Sequence, residues 1–84
     1  MENSEIQDRV IKVVCSVLNI DAEIVKLESN FVFDLGAESM QSVQLVAAFE
    51  EEFDIEMDQD EALSVSSIGD AVAYISKVID EQHG

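Results

Sequence analysis

Residues 39–53, SMQSVQLVAAFEEEF, decide the fold class because their apolar side chains recur at helical spacing on two faces. The face typical of a protein core consists of Leu45, Val46, Phe49 and Phe53. The opposite face consists of Met40, Val43 and Ala47, beside Gln44, Glu50 and Glu51. Because a surface helix ordinarily has one apolar stripe, the second stripe predicts a docking surface. Scattered exposed apolar residues are the alternative interpretation.

Helical patterns also lie on both sides of this segment. Before it, the apolar spacing predicts a helix from about Asp8 or earlier to Leu18, capped by Ser4 with Gln7 and ended by Asn19. Its core stripe consists of Ile6, Val10, Val13, Val14 and Val17. After it, residues 58–63 predict one or two short helical turns, and Ser67 is the expected N-cap of a last helix. The core stripe of that helix consists of Ile68, Ala71, Val72, Ile75, Val78 and Ile79.

The fold class predicted from these patterns is therefore all-α, with three main helices and a short extra one. Residues 20–38 lack a sustained period and predict a long first loop. We expect its apolar residues to attach the loop to the core; they are Ile24, Leu27, Phe31, Phe33 and Leu35. Loops of this length in compact domains are usually functional or disordered, and five apolar residues argue against disorder. The only strand-like run is residues 31–33.

Length and charge restrict the function classes. The 84 residues fit one domain, 1–84, and 19 Asp and Glu against 4 Lys and Arg give a net charge of −15. This charge excludes a nucleic-acid binder. Twelve acidic residues and no Lys or Arg lie between Lys26 and Lys77, which predicts basic protein partners. No apolar run is long enough for membrane insertion and no signal peptide is evident, so we expect a cytoplasmic monomer.

Autonomous catalysis and a dedicated metal site are not predicted. A serine triad at Ser39 would need a histidine, and the only one, His83, lies in a tail expected to fray. An EF-hand beginning at Asp58 would have Leu63 and Gly69 where glycine and glutamate are required. The single cysteine, Cys15, has no zinc-ligand spacing and is expected to be a small residue in the core or at its edge.

The predicted position of Ser39 at the start of the second helix allows two interpretations. A turn containing Gly36 leads directly into the second helix, which places the Ser39 hydroxyl at the helix start. Unpaired N–H groups and the positive end of the helix dipole favour an attached phosphoryl group there. Serine is also common at this position simply because it caps or begins a helix well, and the physical pattern leaves both interpretations open.

Residues 34–40, DLGAESM, followed by FEEEF at residues 49–53, closely resemble the acyl carrier protein family. The resemblance extends from the first helical pattern to the last, and length and acidity agree with it. The family motif is normally Asp-Ser-Leu, whereas here Glu38 and Met40 flank Ser39. Both substitutions are chemically mild.

The resemblance implies a four-helix bundle that is a carrier and not an enzyme. It implies 4′-phosphopantetheine on Ser39 as a phosphodiester, transferred from coenzyme A by a holo-carrier synthase, a phosphopantetheinyl transferase. The thiol of the arm would hold acyl groups as thioesters for enzymes of fatty acid, polyketide or specialised lipid biosynthesis. Residues expected to face basic grooves on these loading and transfer enzymes are Glu38, Met40, Val43, Gln44, Ala47, Glu50 and Glu51. Residues expected to line a site for the acyl chain are Val43, Ala62, Leu63, Ile68 and Ala71.

The composition is also compatible with a protein of another class. A small acidic helical adaptor would bind basic partners through the same face and carry no prosthetic group. Intact mass distinguishes the two, because only the carrier gains an arm.

The net charge predicts that salt stabilises the fold. Carboxylates repel more strongly in the compact state than in the expanded chain. At 0.1 M salt the screening length is about 10 Å, so sodium chloride or millimolar magnesium should raise the melting temperature by several degrees. Thermal melts at increasing ionic strength measure this, and a midpoint that stays flat or falls would show that repulsion does not limit stability.

Overall fold

The computed structural model describes residues 2–84 and confirms the all-α prediction. Its elements are α1 (Asn3–Leu18), a 3₁₀ turn (Ala22–Ile24), α2 (Ser39–Phe53), α3 (Gln59–Leu63) and α4 (Ile68–His83). The described part contains no strand, and its one β-bridge joins Asn30 to Ser67. Within it, no helix combines the length and apolarity needed to cross a bilayer.

The start of α1 differs from the prediction and its end agrees. The helix begins at Asn3 with Glu2 as N-cap, so the predicted Ser4 cap is wrong. Ile6 is buried and its N–H donates to the Glu2 carbonyl at 3.0 Å, which extends helical bonding upstream of Ser4. At the other end Asn19 is left-handed, with φ 57°, a conformation that asparagine tolerates.

The three long helices contribute one stripe each to the core. The buried residues of α1 are Ile6, Val10, Val13 and Val14, and those of α2 are Leu45, Val46, Phe49 and Phe53. The buried residues of α4 are Ile68, Ala71, Ile75, Val78 and Ile79. Val17 and Val72 are half-buried at the edge of the core. Each fully buried Val, Leu, Ile or Phe contributes about 1.5–3 kcal/mol, so these stripes supply the main driving force.

The long first loop is packed against the core as predicted, although only two of the five predicted residues are buried. Phe31 and Leu35 are buried, and Val25 and Ala37 are buried with them. Three predicted contacts with the core are wrong, because the exposed side chains include Ile24, Leu27 and Phe33. The chain turns tightly between residues 30 and 35, so Phe31 and Leu35 are buried in the core while Val32 and Phe33 between them are exposed to solvent.

The loop lies against the start of α4 and satisfies its free backbone donors. The first N–H groups of a helix have no partner within it. Here the N–H of Ile68 donates to the Ser29 carbonyl at 3.0 Å, and the N–H of Gly69 donates to the Leu27 carbonyl at 2.8 Å. Ser67 Oγ accepts from the N–H of Asp70 at 3.2 Å, which confirms Ser67 as the N-cap.

Glycine at position 69 permits this close approach. A Cβ there would lie 3.2 Å from the Leu27 carbonyl oxygen, which is tighter than an ordinary contact.

The last turn of α4 is bonded to the segment after α2. Gln82 Nε2 donates to the Glu56 carbonyl at 2.7 Å, and Gln82 Oε1 accepts from the Glu56 N–H at 2.9 Å. His83 Nε2 lies 2.5 Å from the Asp54 carbonyl oxygen. The prediction that His83 lies in a frayed tail is therefore wrong, because these contacts hold it in the helix.

Arg9 joins α1 to α2. Its Nε lies 2.6 Å from Glu52 Oε2, and its Nη2 donates to the Glu52 carbonyl at 2.5 Å. The guanidinium also lies over the Phe53 ring, 4.9 Å from the centroid. A planar guanidinium makes these contacts together, which an ammonium group cannot do.

We therefore predict that Arg9→Lys lowers the free energy of unfolding by about 1–2 kcal/mol, although it keeps the charge. Urea denaturation measures the loss. Lys12→Ala is the matched control, since Lys12 is exposed on the same helix and should change stability by less than about 0.5 kcal/mol. Equal stability of Arg9→Lys and wild type would contradict a structural role for the guanidinium.

Candidate functional site

Ser39 is the first residue of α2 and its side chain is exposed. Glu38, not Ser39, is the N-cap. Within residues 2–84 the Ser39 hydroxyl makes no hydrogen bond, whereas Ser42 Oγ donates to the Glu38 carbonyl at 3.2 Å. The Ser39 hydroxyl is therefore available for chemistry, and the capping explanation for this serine does not apply.

The segment before α2 fixes the position of Ser39. Gly36 has φ +71°, a conformation that favours glycine, and Ala37 is buried. The Ala37 N–H donates to the Phe31 carbonyl at 2.8 Å, and the Phe31 N–H donates to the Ser66 carbonyl at 3.0 Å. The helix start is thus connected through two backbone bonds to the segment that precedes α4.

The helix start offers donors for an anion. An α-helix leaves its first N–H groups without intrahelical acceptors, and Ser39 and Met40 contribute two of them at exposed positions. The Glu38 N–H donates to Gln41 Oε1 at 3.0 Å and is already satisfied. A phosphodiester on Ser39 Oγ would place its negative charge beside these groups and at the positive end of the helix dipole. The residues present therefore fit an attached phosphate.

His83 is too far from Ser39 to act with it, and the Cys15 thiol lies in surroundings that disfavour its reactive thiolate form. His83 contacts Asp54 just beyond the C-terminal end of α2, and the 15 residues of α2 place Ser39 about 20 Å from that end. Cys15 lies half-buried at the core edge of α1, as predicted. Burial raises the pKa of the Cys15 thiol, and Asp21 raises it further, so the thiol stays protonated at neutral pH.

The predicted docking residues lie mostly on the exposed surface of α2. Met40 is 74% exposed and Val43 is 44% exposed. The other predicted docking residues that are exposed are Glu38, Gln44, Ala47 and Glu51. The structure thus presents an apolar surface with carboxylates around it.

Glu50 differs from the other predicted docking residues. It is half-buried, and its Oε2 accepts from the Met57 N–H at 3.0 Å. Its carboxylate therefore holds the segment between α2 and α3 in addition to contributing negative charge.

A cavity of about 270 Å³ lies among α2, α3, α4 and the first loop. Its apolar walls include Phe31, Leu45, Val46, Phe49 and Ile75. Of the residues predicted to line an acyl site, Ala62, Leu63 and Ala71 do so, whereas Val43 and Ile68 do not. Val43 lies on the exposed face of α2, and Ile68 is fully buried within the core.

Tyr74 is a cavity residue that sequence reasoning did not identify as one. Its hydroxyl donates to Glu61 Oε2 at 3.3 Å, which links α4 to α3. Burial raises the pKa of Tyr74, and the negative charge of Glu61 also raises it, so the hydroxyl remains a donor. The helical spacing from Ala71 to Tyr74 and Ile75 is the signal that could have identified this wall.

Comparison with known proteins agrees with this geometry. A family model described as the phosphopantetheine attachment site matches residues 8–75, which include the first loop and Ser39. An acyl carrier protein from Clostridium acetobutylicum is 49% identical over 74 residues, covering 88% of this chain and 96% of the relative.

Two further relatives are also acyl carrier proteins. An acyl carrier protein from Rhizobium meliloti is 49% identical over 74 residues, covering 88% of this chain and 95% of its own length. One from Akkermansia muciniphila is 41% identical over 78 residues, covering 93% and 98% respectively. In each comparison the similarity thus extends over nearly the full length of both this chain and its relative.

Proposed function

The chain belongs to the acyl carrier protein family, and from that membership we propose that Ser39 is the residue that bears its 4′-phosphopantetheine arm. A carrier of this family is not an enzyme, and it holds acyl groups as thioesters on the thiol of the arm. Membership decides against the adaptor without a prosthetic group. The observation that supports Ser39 is its exposed hydroxyl, free of hydrogen bonds within residues 2–84, at the first residue of α2.

Attachment requires a nucleophilic oxygen that a transferase can reach. Ser39 Oγ would attack the phosphorus that bears the pantetheine unit in coenzyme A. The new O–P bond replaces the P–O bond to the nucleotide, 3′,5′-ADP leaves, and the hydroxyl proton passes to the transferase. The exposed N–H groups of Ser39 and Met40 favour the resulting phosphodiester through the field of the helix.

We propose that the apolar cavity shelters the carried acyl chain. Its polar side chains are already bonded within the protein: Tyr74 to Glu61, and Ser64 Oγ to the Glu61 carbonyl at 2.7 Å. A cavity whose polar groups are satisfied favours an apolar chain over one with many oxygen substituents. Ser42 lines the same cavity one helical turn, about 5 Å along the axis, after Ser39, so the arm attached at Ser39, whose far end bears the acyl chain, begins near the cavity.

The partners that we propose are the phosphopantetheinyl transferase and the acyl-loading and acyl-transfer enzymes. Met40 and Val43 supply exposed apolar contact beside Ser39, and Glu38 and Glu51 supply negative charge. Basic patches on the enzymes would attract this surface at long range, and the small apolar area would let them separate again.

We predict that Ser39→Ala abolishes loading and keeps the fold, because a hydroxyl without a hydrogen bond contributes little stability. Incubation with coenzyme A, magnesium and a phosphopantetheinyl transferase should add about 340 Da to the wild type and nothing to the variant. Ser42→Ala is the matched control and should be loaded. A mass gain in Ser39→Ala would contradict the assignment and would make Ser42 the next residue to test.

We predict that Glu51→Lys slows association with the transferase severalfold at low salt without lowering the melting temperature, because exposed rim charges act mainly on encounter. Stopped-flow binding measures the rate. Asp80→Lys is the matched control. It changes the net charge by the same amount as Glu51→Lys, but on the exposed face of α4, so it should slow association less. Rates that respond to neither Glu51→Lys nor salt would contradict electrostatic attraction by this face.

A further inference from the structure

Phe33 is the most exposed large apolar side chain in the described residues. Its side chain is 89% exposed, more than Met40 at 74%. A phenyl ring in water forgoes the stabilisation of about 1.5–3 kcal/mol that full burial would provide. The fold gains little from this ring, which leaves it accessible for contact with another molecule.

The backbone around Phe33 is held rigidly. Asn30 Oδ1 accepts from the N–H groups of both Val32 and Phe33, each at 2.9 Å. The Asp34 N–H donates to the Asn30 carbonyl at 3.0 Å, and Asp34 Oδ2 accepts from the Asn30 N–H at 2.7 Å. The turn therefore presents an aromatic ring without the entropy cost of ordering a mobile loop on binding.

The ring lies near the proposed attachment site. Phe33 and Ser42 border the same cavity, and Ser39 lies one helical turn, about 5 Å along the axis, before Ser42. A protein interface of ordinary size covers about 800 Å² on each partner. An enzyme that places its active site over Ser39 Oγ therefore also covers the turn that carries Phe33.

We propose that Phe33 is an anchor that inserts into an apolar pocket, rimmed by Lys or Arg, on the transferase that modifies Ser39. The proposal rests on the proposed function and adds to it a contact outside α2. Asp34 and Glu38 both follow Phe33 closely in the chain, and there is no Lys or Arg from residue 27 to residue 76, so a basic rim complements this surface. Buried aromatic anchors supply much of the binding energy in such interfaces.

Two other occupants are less consistent with the structure. A second copy of the chain would bring together two surfaces of the same sign, each protein carrying a net charge of −15. The cavity proposed for the carried acyl chain has buried apolar walls at Phe31, Leu45 and Phe49, whereas Phe33 lies at its border and is 89% exposed, so an acyl chain in the cavity would cover little of the ring.

Steady-state transfer of the arm tests the proposal, with full-length apo-protein, unacylated coenzyme A, magnesium and a phosphopantetheinyl transferase. Phe33→Ala should raise KM about fivefold or more and leave kcat unchanged. Phe33→Leu should give an intermediate value. Ile24→Ala is the control, because Ile24 is an exposed apolar residue outside the cavity, and it should behave as wild type. Thermal melts establish that the variants stay folded.

Each contrary outcome has a distinct meaning. Wild-type KM in Phe33→Ala, with the wild type fully loaded, would overturn the anchor and leave the assignment of Ser39 intact. If the altered property were instead thioester hydrolysis of the acylated form, Phe33 would cover the acyl chain, and the anchor would be overturned. A dimer that Phe33→Ala dissociates would overturn it in favour of a second copy. A wild-type chain that is never loaded would overturn the proposed function and the anchor together.

Discussion

The attachment of the first loop to the start of α4 is the interaction on which the rest of the structure depends. Backbone donors of Phe31, Ile68 and Gly69 all find their acceptors across this junction. Without it, the first N–H groups of α4 and much of the loop backbone would lack partners, and buried unpaired groups are costly. Because the Ala37 N–H is bonded to the Phe31 carbonyl, the same junction also determines where α2 begins.

This arrangement separates rigidity from reactivity at Ser39. On the N-terminal side of Ser39 the backbone is fixed, because Ala37 is buried and its N–H is hydrogen-bonded. The Ser39 hydroxyl itself has no hydrogen bond within residues 2–84. A carrier needs both properties, since a transferase must find the hydroxyl in a constant position and still reach it. The acidic surface then acts at longer range, attracting basic enzymes, and the apolar side chains of Met40 and Val43 act at contact.

Much of the fold could be predicted from sequence because the helical spacing of apolar residues indicates which side chains are buried. The stripes of α1, α2 and α4 required only side-chain spacing, and Ser67 showed its capping role through its position before Ile68. The loop could not be predicted in the same way. Whether Phe31 or Phe33 points inward depends on the hydrogen bonds of Asn30, and no periodic pattern records them.

The candidate functional site was likewise only partly predictable from the sequence. The position of Ser39 at a helix start followed from Gly36 and the helical pattern after it. The bond from the Met57 N–H to Glu50, and the cavity wall at Tyr74, depend on how the short α3 packs, which local sequence does not specify. His83 was misjudged because its contact with Asp54 joins residues 29 apart in sequence.

Amide hydrogen exchange of the apo-protein, resolved by residue, tests most directly whether a rigid loop presents an open helix start. We expect slow exchange at Phe31 and Ala37, approaching that of the α4 core, and fast exchange at Ser39 and Met40. Exchange at Phe31 and Ala37 as fast as at Ser39 would contradict it, because the loop would then not determine where the attachment residue lies.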